Sequence, residues 1–421
     1  MHRGLEITAM GSNTTAAHAS TGAVSGKVLT VLLDGQLLRH GLKGERAAAS
    51  LKNLSFITRR PPHIDVTVLP YDADTLAAAR AFKAEGGRTE LAVAFSDETV
   101  KEITRHLACF DDIVPAGSSA PVLAPEKQGG VRVWLRALRV HQWVKNALIF
   151  MPLMAAHQLH NPAMFIQALI AVVAFGLCAS SVYVLNDILD LADDRHHRLK
   201  RFRPFAAGTL PIGAGLVAFP LLLVLSFTIA LAILPPLFSA VLAAYYTLTL
   251  TYSMALKRIM ALDVIALAML YTLRIFAGVA ALSLTLTFWL LAFAMFLFLS
   301  LALAKRFAEV RDALERGRPG KTRGRDYDTN DLEMISSLGA ASGYQAVLVL
   351  ALYIREQSTV ALYSNPEVLW LACPVLLFWI TRVWMLTHRG QMHEDPVVFA
   401  ARDWVSQAAG VFFLLTFLAA S

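Results

Sequence analysis

Charge is what this chain has little of. Only 16% of its 421 residues are Asp, Glu, Lys or Arg, 56% are hydrophobic, and the mean hydropathy is +0.53. A soluble domain carries roughly 25% charged and 45–50% apolar residues, so the deficit argues against an ordinary soluble globule and for membrane spans. Cysteine is almost absent. Cys109, Cys178 and Cys373 stand far apart, two of them inside apolar runs, with no CxxC or CxxH spacing. Neither a disulfide framework nor a zinc site is indicated. Residues 1–27 lack a sustained apolar core and are rich in Ala, Ser and Thr; they read as a disordered tail left in the cytoplasm, not as a secretory signal. Also missing is any Ser/His/Asp or Cys/His arrangement of the kind that builds a protein nucleophile.

What is present divides in two. Residues 28–115 read as a small cytoplasmic α/β unit. "KVLTVLLDG", "IDVTVLP", "TELAVAFSD" and "DDIVPAG" look like strands, while "DADTLAAARAFKAEGG" and "ETVKEITRHLACF" look like helices, the first closed by Gly86 and Gly87. Their alternation implies a parallel sheet. Residues 116–133 have linker composition. Residues 134–421 then hold nine apolar segments, centred near 152, 175, 223, 243, 272, 295, 345, 376 and 411. Each span needs roughly 20 apolar residues, so the fold class expected is mainly α, a nine-helix transmembrane bundle behind a small α/β domain.

The net charge of +7 is distributed between apolar runs, which suits membrane orientation and speaks against nucleic acid. Arg195, Arg198, Lys200, Arg201 and Arg203 follow the second segment, Lys257 and Arg258 the fourth, a run from Lys305 to Arg325 the sixth, and Arg382, Arg389 and Arg402 the eighth. The alternate loops hold only Arg355. By the positive-inside rule the charged loops and the N-terminal unit are expected on the cytoplasmic side of a bacterial inner membrane.

Against that background "SVYVLNDILDLADDRHHRLKRFRPFAAG" stands out, running from Ser181 to Gly208. Asp187, Asp190 and Asp194 are spaced i, i+3, i+7 and share one stripe of a helix, with Asn186 beside them and Asp193 to the side. Carboxylates roughly 6 Å apart repel by about 3 kcal/mol per pair at an effective dielectric near 20. The C-terminal end of a span also favours cations. Both terms oppose the stripe unless something positive binds there, and a hard divalent ion completed by substrate phosphates would supply it. The bland alternative is a solvated loop whose acids and bases neutralise each other; the stripe and its place beside the membrane argue against that.

Other residues point to phosphate. Lys145 and Asn146 sit in "HQWVKN" at the start of the first segment, where Lys145 is equally an interfacial anchor. Asp263 and Arg274 lie in or near the fifth segment; an intramembrane Arg is a functional hypothesis by default, which favours phosphate binding by Arg274 over a structural pair with Asp263. Lys305, Arg306 and Glu309 end the sixth segment, with Lys305 and Glu309 at i, i+4. Glu394 and Asp395 are left outside the first-rank site, and Asp403 reads as a helix-start charge.

"NDILDLADD" resembles the Asn-Asp-x-x-Asp-x-x-x-Asp motif of the UbiA superfamily of intramembrane prenyltransferases. "NDILDLADDRHHRLKRFRPFAAG" and "LRVHQWVKN" resemble the branch that includes decaprenyl-phosphate phosphoribosyltransferase, with Val140 where that branch has Pro. The resemblance covers roughly residues 134–421. It implies nine helices around a cavity open to the membrane, and Mg2+ held by Asp187, Asp190 and Asp194 with Asn186 in support. Lys145, Lys200, Arg201 and Arg203 would bind the phosphates of phosphoribosyl pyrophosphate, and Asn146, Arg274, Lys305 and Arg306 complete the expected set. Aromatic-prenylating members have a second Asp-rich motif; here Asp263 with surrounding bases replaces it. The reaction expected is transfer of 5-phosphoribose to a polyprenyl phosphate with release of pyrophosphate, toward a lipid-linked arabinose donor. Its rivals are prenylation of an aromatic or other acceptor by a prenyl diphosphate, and a lipid or small-molecule transporter. Residues 28–115 resemble a degenerate haloacid-dehalogenase-type domain: Leu32 stands where the nucleophilic Asp belongs, Gln36 replaces Thr, and Ala94, with Ser96 near it, takes the place of the second-motif Thr. Without a carboxylate at position 32 no covalent phospho-intermediate forms.

Overall fold

The computed structural model describes residues 28–421 apart from 35, 40, 54–63, 117–128, 198, 286–287, 317–319, 321–324, 362, 393–394 and 421. The expected tail at 1–27 and most of the expected linker lie outside the described residues. In chain order the elements are β1 (Val28–Leu32), α1 (Leu42–Asn53), α2 (Ala73–Ala84), β2 (Arg88–Val93), α3 (Glu98–Leu107), β3 (Asp112–Pro115) and α4 (Val131–Ala137). They continue with α5 (Pro162–Leu189), α6 (Leu191–His196), α7 (Ile212–Ile233), α8 (Pro236–Met254), α9 (Leu262–Leu282) and α10 (Phe288–Glu315). The last four are α11 (Leu332–Arg355), α12 (Ala372–His388), α13 (Pro396–Arg402) and α14 (Trp404–Ala420).

The described residues divide into two compact units, those up to Leu38 with those from Tyr71 to Pro125, and those of Arg39–Pro70 with those of Glu126–Ser421. The first is a parallel sheet in the order β1-β2-β3, Val28 opposite Arg88 and Glu90 opposite Asp112. Its helices start on aspartates: Asp72 accepts from Thr75 N–H and Asp97 from Val100 N–H. Gly86 follows α2 at φ +85, a left-handed conformation glycine adopts without strain. One expected strand is corrected. "IDVTVLP" forms a single 3-10 turn at Val66–Val68, because the Asp65 side chain accepts from Thr67 N–H and folds the chain locally. That turn and α1, which the strand-and-helix alternation did not anticipate, belong to the second unit.

The second unit is helical. Seven helices among the described residues are long and apolar enough to cross a membrane, or eight if the pair α13–α14, bent by 86°, is one span. Proline marks several starts: Pro162 opens α5 behind Asn161, whose side chain accepts from Ala163 and Met164 N–H, and Pro236 and Pro396 open α8 and α13. Asp403, at the bend, accepts from Ser406 N–H and pairs with Arg382, a helix-start charge as expected.

The sequence leads one to expect a ninth helix near residue 152, and the chain does something else there. Val140–Phe150 is a 3-10 helix followed by the short helix Met151–Ala155. It runs antiparallel to α5: Arg139 meets Asp187 at one end, while Phe150 packs on Phe165 and Leu153 on Ala168 at the other. Eleven 3-10 residues and five α residues rise about 30 Å together, so sixteen residues cover the depth an ordinary span covers in twenty. Small residues let this thick strand of backbone approach. Trp143 lies over Gly176, where a Cβ would come within 2.7 Å of the ring, and its Nε1–H donates to Ser180 Oγ at 3.1 Å. At Gly278 of α9 a Cβ would stand 2.2 Å from the Ile149 carbonyl oxygen. Gly278→Ala is therefore expected to destabilise the unit by about 1–3 kcal/mol and to displace the segment carrying Lys145. Thermal unfolding in detergent checks this; an unchanged melting point would contradict the close approach.

Candidate active site

The aspartate stripe survives with a bend in it. Asp187 lies in the last turn of α5, Asp190 caps that helix at φ −95 and ψ 11, and Asp194 lies on α6. Asp187 and Asp194 are each 2% exposed, whereas Asp193 points outward and pairs with Lys52 at 3.0 Å. The two buried carboxylates converge on one cation: Arg203 Nη1 is 3.3 Å from Asp187 Oδ1 and 2.6 Å from Asp194 Oδ2. Arg139, in a left-handed conformation at φ 51, adds a second guanidinium 2.5 Å from Asp187 Oδ1 and lies over the Tyr183 ring. Burial pushes the Asp194 carboxyl up from its ordinary value, and Arg203 only partly offsets this. Three carboxylates of the stripe, Asp187, Asp190 and Asp194, thus face two guanidinium groups, Arg139 and Arg203. Lys200 and Arg201 are exposed on the turn that leads to Arg203, and Asn186 donates to Ser253 Oγ at 3.0 Å.

No group of three His, Cys, Asp or Glu side chains among the described residues is close enough to hold an ion alone. Two hard carboxylates meeting at one cationic nitrogen nevertheless suit Mg2+, which binds through one or two carboxylates and takes its remaining oxygens from substrate phosphate and water.

A second centre forms around Asp395. Lys145 Nζ lies 2.9 Å and Lys305 Nζ 3.1 Å from its Oδ2, and Tyr271 O–H donates to Oδ1 at 2.8 Å. Burial opposes ionisation of Asp395, but the charges of Lys305 and Lys145 outweigh it and hold the carboxyl well below the usual range. Beside this centre Arg274 is buried, donating to Asn146 Oδ1 at 3.2 Å and to the Tyr245 hydroxyl oxygen at 3.1 Å, with the Phe175, Tyr245 and Tyr271 rings around its guanidinium. Asn146 Nδ2 is buried with no hydrogen-bond partner among the described residues, a donor that a phosphate oxygen would satisfy. An apolar cavity of about 180 Å³, lined by Leu148, Ile275, Phe293 and Trp379 among others, shares Leu301 and Val397 with the lining of the Asp395–Lys305 group.

The third centre is closed. Asp263, fully buried, is held by Arg306 at 2.7 Å, Arg325 at 2.9 Å and the Tyr252 hydroxyl at 2.9 Å, and Glu309 joins the same two arginines. Asp263 therefore pairs with Arg306 and Arg325, not with Arg274. Lys305 turns to Asp395 and Glu309 to the arginines, so the i, i+4 spacing of Lys305 and Glu309 does not make a pair.

The fold thus brings Asp187, Asp190, Asp194, Asn186 and Arg203 together at the end of α5, and Lys145, Asn146, Arg274 and Lys305 together around Asp395. It takes Arg306 into the Asp263 cluster. Sequence reasoning passed over Arg139, Tyr245 and Tyr252 and set Asp395 outside the first-rank site. Arg139 stands inside the quoted "LRVHQWVKN", and Asp395 precedes a helix-opening proline; neither carries a spacing that marks it. Glu394 and Arg198 lie outside the described residues.

Residues 147–417 match the UbiA prenyltransferase family. The nodulation protein NoeC of Azorhizobium caulinodans is 34% identical over 293 residues, 67% of this chain and 93% of that protein. Decaprenyl-phosphate phosphoribosyltransferase of Mycobacterium tuberculosis is 30% identical over 290 residues, 67% of this chain and 92% of that one. The protein y4nM of Sinorhizobium fredii is 37% identical over 306 residues, which are 72% of this chain but only 59% of y4nM. Among solved structures, a UbiA homolog from Archaeoglobus fulgidus bound to DMAPP and Mg2+ superposes with a TM-score of 0.52 at 15% identity, covering 68% of this chain and 98% of that one. The fold is the same at that distance.

Proposed function

Since this chain belongs to the UbiA prenyltransferase family and is a multi-pass membrane protein, we propose that it transfers 5-phosphoribose from phosphoribosyl pyrophosphate to a polyprenyl phosphate. The observation that carries this reading is the charge balance of the three centres. Asp263 and Glu309 are matched by Arg306 and Arg325, Asp395 is outnumbered by Lys145 and Lys305, and the stripe sets Asp187, Asp190 and Asp194 against Arg139 and Arg203. Of the three, the stripe has acid to spare for a metal, and the surplus base around Asp395, with Arg274 beside it, exceeds what a single diphosphate needs. A donor carrying a 5-phosphate as well as a diphosphate matches that balance.

In this reading Asp187, Asp190 and Asp194, with Asn186 in support, hold Mg2+, which when bound offsets negative charge on the pyrophosphate. Arg203, Lys200 and Arg201 orient the donor phosphates from the turn after α6. Lys145, Asn146, Arg274 and Lys305 receive phosphate oxygens from the other side; Arg306 is left out because it is fully buried in a cluster where Asp263 and Glu309 match it and Arg325 in charge. A lipid phosphate, its chain in the apolar cavity, attacks the anomeric carbon. The new oxygen–carbon bond forms as the bond to pyrophosphate breaks, and the electron pair leaves with pyrophosphate. Positioning and charge stabilisation are the main contributions. The charge of the alternate loops supports a cytoplasmic place for this chemistry, at a bacterial inner membrane. A phosphoribosylated polyprenol suits a precursor of a lipid-linked arabinose donor, and arabinosylation of Nod factors is the destination we propose; the similarity to a nodulation protein supports the setting.

The test uses purified protein in lipid with radiolabelled phosphoribosyl pyrophosphate, polyprenyl phosphate, and either Mg2+ or a chelator. Label is expected in the organic phase only with Mg2+. Activity on a prenyl diphosphate and an aromatic acceptor instead would overturn the donor, and uptake or flipping without pyrophosphate release would overturn the enzyme.

The first unit takes no part in this chemistry. Leu32 closes β1 with its N–H donating to Gln36 Oε1 at 2.7 Å, so the residues at the degenerate motif bond to each other. Asp34→Ala is expected to leave transfer within about twofold of wild type, since exposed substitutions away from a site change little. A large loss in the same assay would assign that unit a role.

A further inference from the structure

We infer that helix α1 is a working part of the aspartate site, with Glu45 acting through Arg195 as a positioning residue for Asp194 and Arg203. This rests on the transferase reading for its kinetic arm and on geometry alone for the other. Helix α1 lies well before residue 147, where the family match begins. Glu45, Ala48 and Lys52 are spaced i, i+3, i+7 and share one face. That face meets α6 and the turn beyond it. Glu45 is 5% exposed, and its Oε1 and Oε2 lie 2.6 and 2.9 Å from Arg195 Nη2 and Nη1, a two-pronged pair of the strong, oriented kind. Ala48 is buried with Ile188, Leu191 and Phe205, and Lys52 reaches Asp193 at 3.0 Å.

Arg195 does more than answer Glu45. Its Nε donates to the Ala206 carbonyl at 3.3 Å, three residues beyond Arg203. It therefore ties α6, which carries Asp194, to the turn that carries Arg203. Arg203 closes the ring from the other side by bridging Asp194 and Asp187. The Arg195 side chain is 7% exposed, so without Glu45 it becomes an uncompensated buried cation. Asp193 and Asp194 directly precede it in the chain. A guanidinium drawn to them would release Ala206 and compete with Arg203 for Asp194.

The test uses full-length protein in lipid nanodiscs, comparing wild type, Glu45→Ala, Glu45→Gln and the exchange Glu45→Arg with Arg195→Glu. Amide hydrogen exchange across residues 191–206, without metal or substrate, is expected to speed up at least fivefold in Glu45→Ala, with α8 and α9 unchanged and the charge exchange restoring protection. The KM for phosphoribosyl pyrophosphate is expected to rise about tenfold with a smaller change in kcat, again reversed by the exchange. Faster hydrogen exchange with KM unmoved, or no change in either, overturns the inference. Faster exchange in a protein whose wild type transfers no phosphoribose overturns the transferase reading and leaves the positioning geometry standing. If Glu45→Ala fails to insert, Glu45→Gln, which keeps the shape and loses the charge, decides the same outcomes.

Discussion

Asp187→Asn is expected to lower phosphoribosyl transfer at least 100-fold while the protein still inserts in the membrane. The side chain sits where three positive demands meet: Arg139 at 2.5 Å, Arg203 at 3.3 Å, and the ion that the proposed chemistry requires. An amide keeps the volume and loses the charge. Removing one preorganised electrostatic contact costs about 10²–10³ in rate where charge develops, and a carboxylate shared by a metal and two arginines is at the upper end of that range. Stability should fall less, by about 1–3 kcal/mol, because Arg139 and Arg203 remain partly open to water and the full cost of a broken buried pair is not reached. Initial rates at saturating and limiting Mg2+, with the thermal midpoint measured on the same preparations, separate the two effects. Near-wild-type turnover would remove Asp187 from the site, and with it the reading of the stripe as a metal centre.

Asp395→Ala is expected to give the largest stability loss of any single substitution at the site, about 2–4 kcal/mol at neutral pH from the breaking of a buried pair. Lys145 and Lys305 both contact the same carboxylate oxygen, so its removal leaves two ammonium groups facing each other with little water to screen them. One must give up its proton or the local packing must open. The sign follows from this: the deficit relative to wild type shrinks as pH rises toward the lysine range, and it shrinks at constant pH when pyrophosphate is added, because an anion then replaces the carboxylate. Thermal melts with and without pyrophosphate from pH 6 to 9 measure both. A melting point equal to wild type throughout would mean that Asp395 is not the hub of the two lysines, and recovery with chloride as good as with pyrophosphate would remove the phosphate assignment from Lys145 and Lys305.

Much of this site was legible before any coordinates, and the parts that were not share a cause. Asp187, Asp190 and Asp194 announce themselves because three like charges at helical spacing are costly unless something answers them. Lys145, Asn146, Arg274 and Lys305 could be nominated one by one, since polar groups among apolar runs need a reason. Their partners could not. Arg274 and Asp263 are eleven residues apart on one helix and look like a pair, yet α9 turns Arg274 toward Asn146 and Tyr245 while Asp263 faces Arg306 and Arg325. Asp395 is 250 residues from Lys145 in sequence; no local spacing encodes that meeting.

The sequence by itself determined the solvent this chain folds in, the positions of the seven apolar helices among the described residues that are long enough to span it, and the stripe of acids that a cation must answer. These follow from local quantities: hydropathy over twenty residues and side-chain spacing along one helix. Tertiary structure alone decided that residues 140–150 wind as a 3-10 helix beside α5, that α1 joins the helical unit, and which base serves which acid. Those are properties of packing between distant segments. A glycine at 278 that admits the Ile149 carbonyl and a glutamate at 45 that finds Arg195 have no signature until the helices that carry them are side by side.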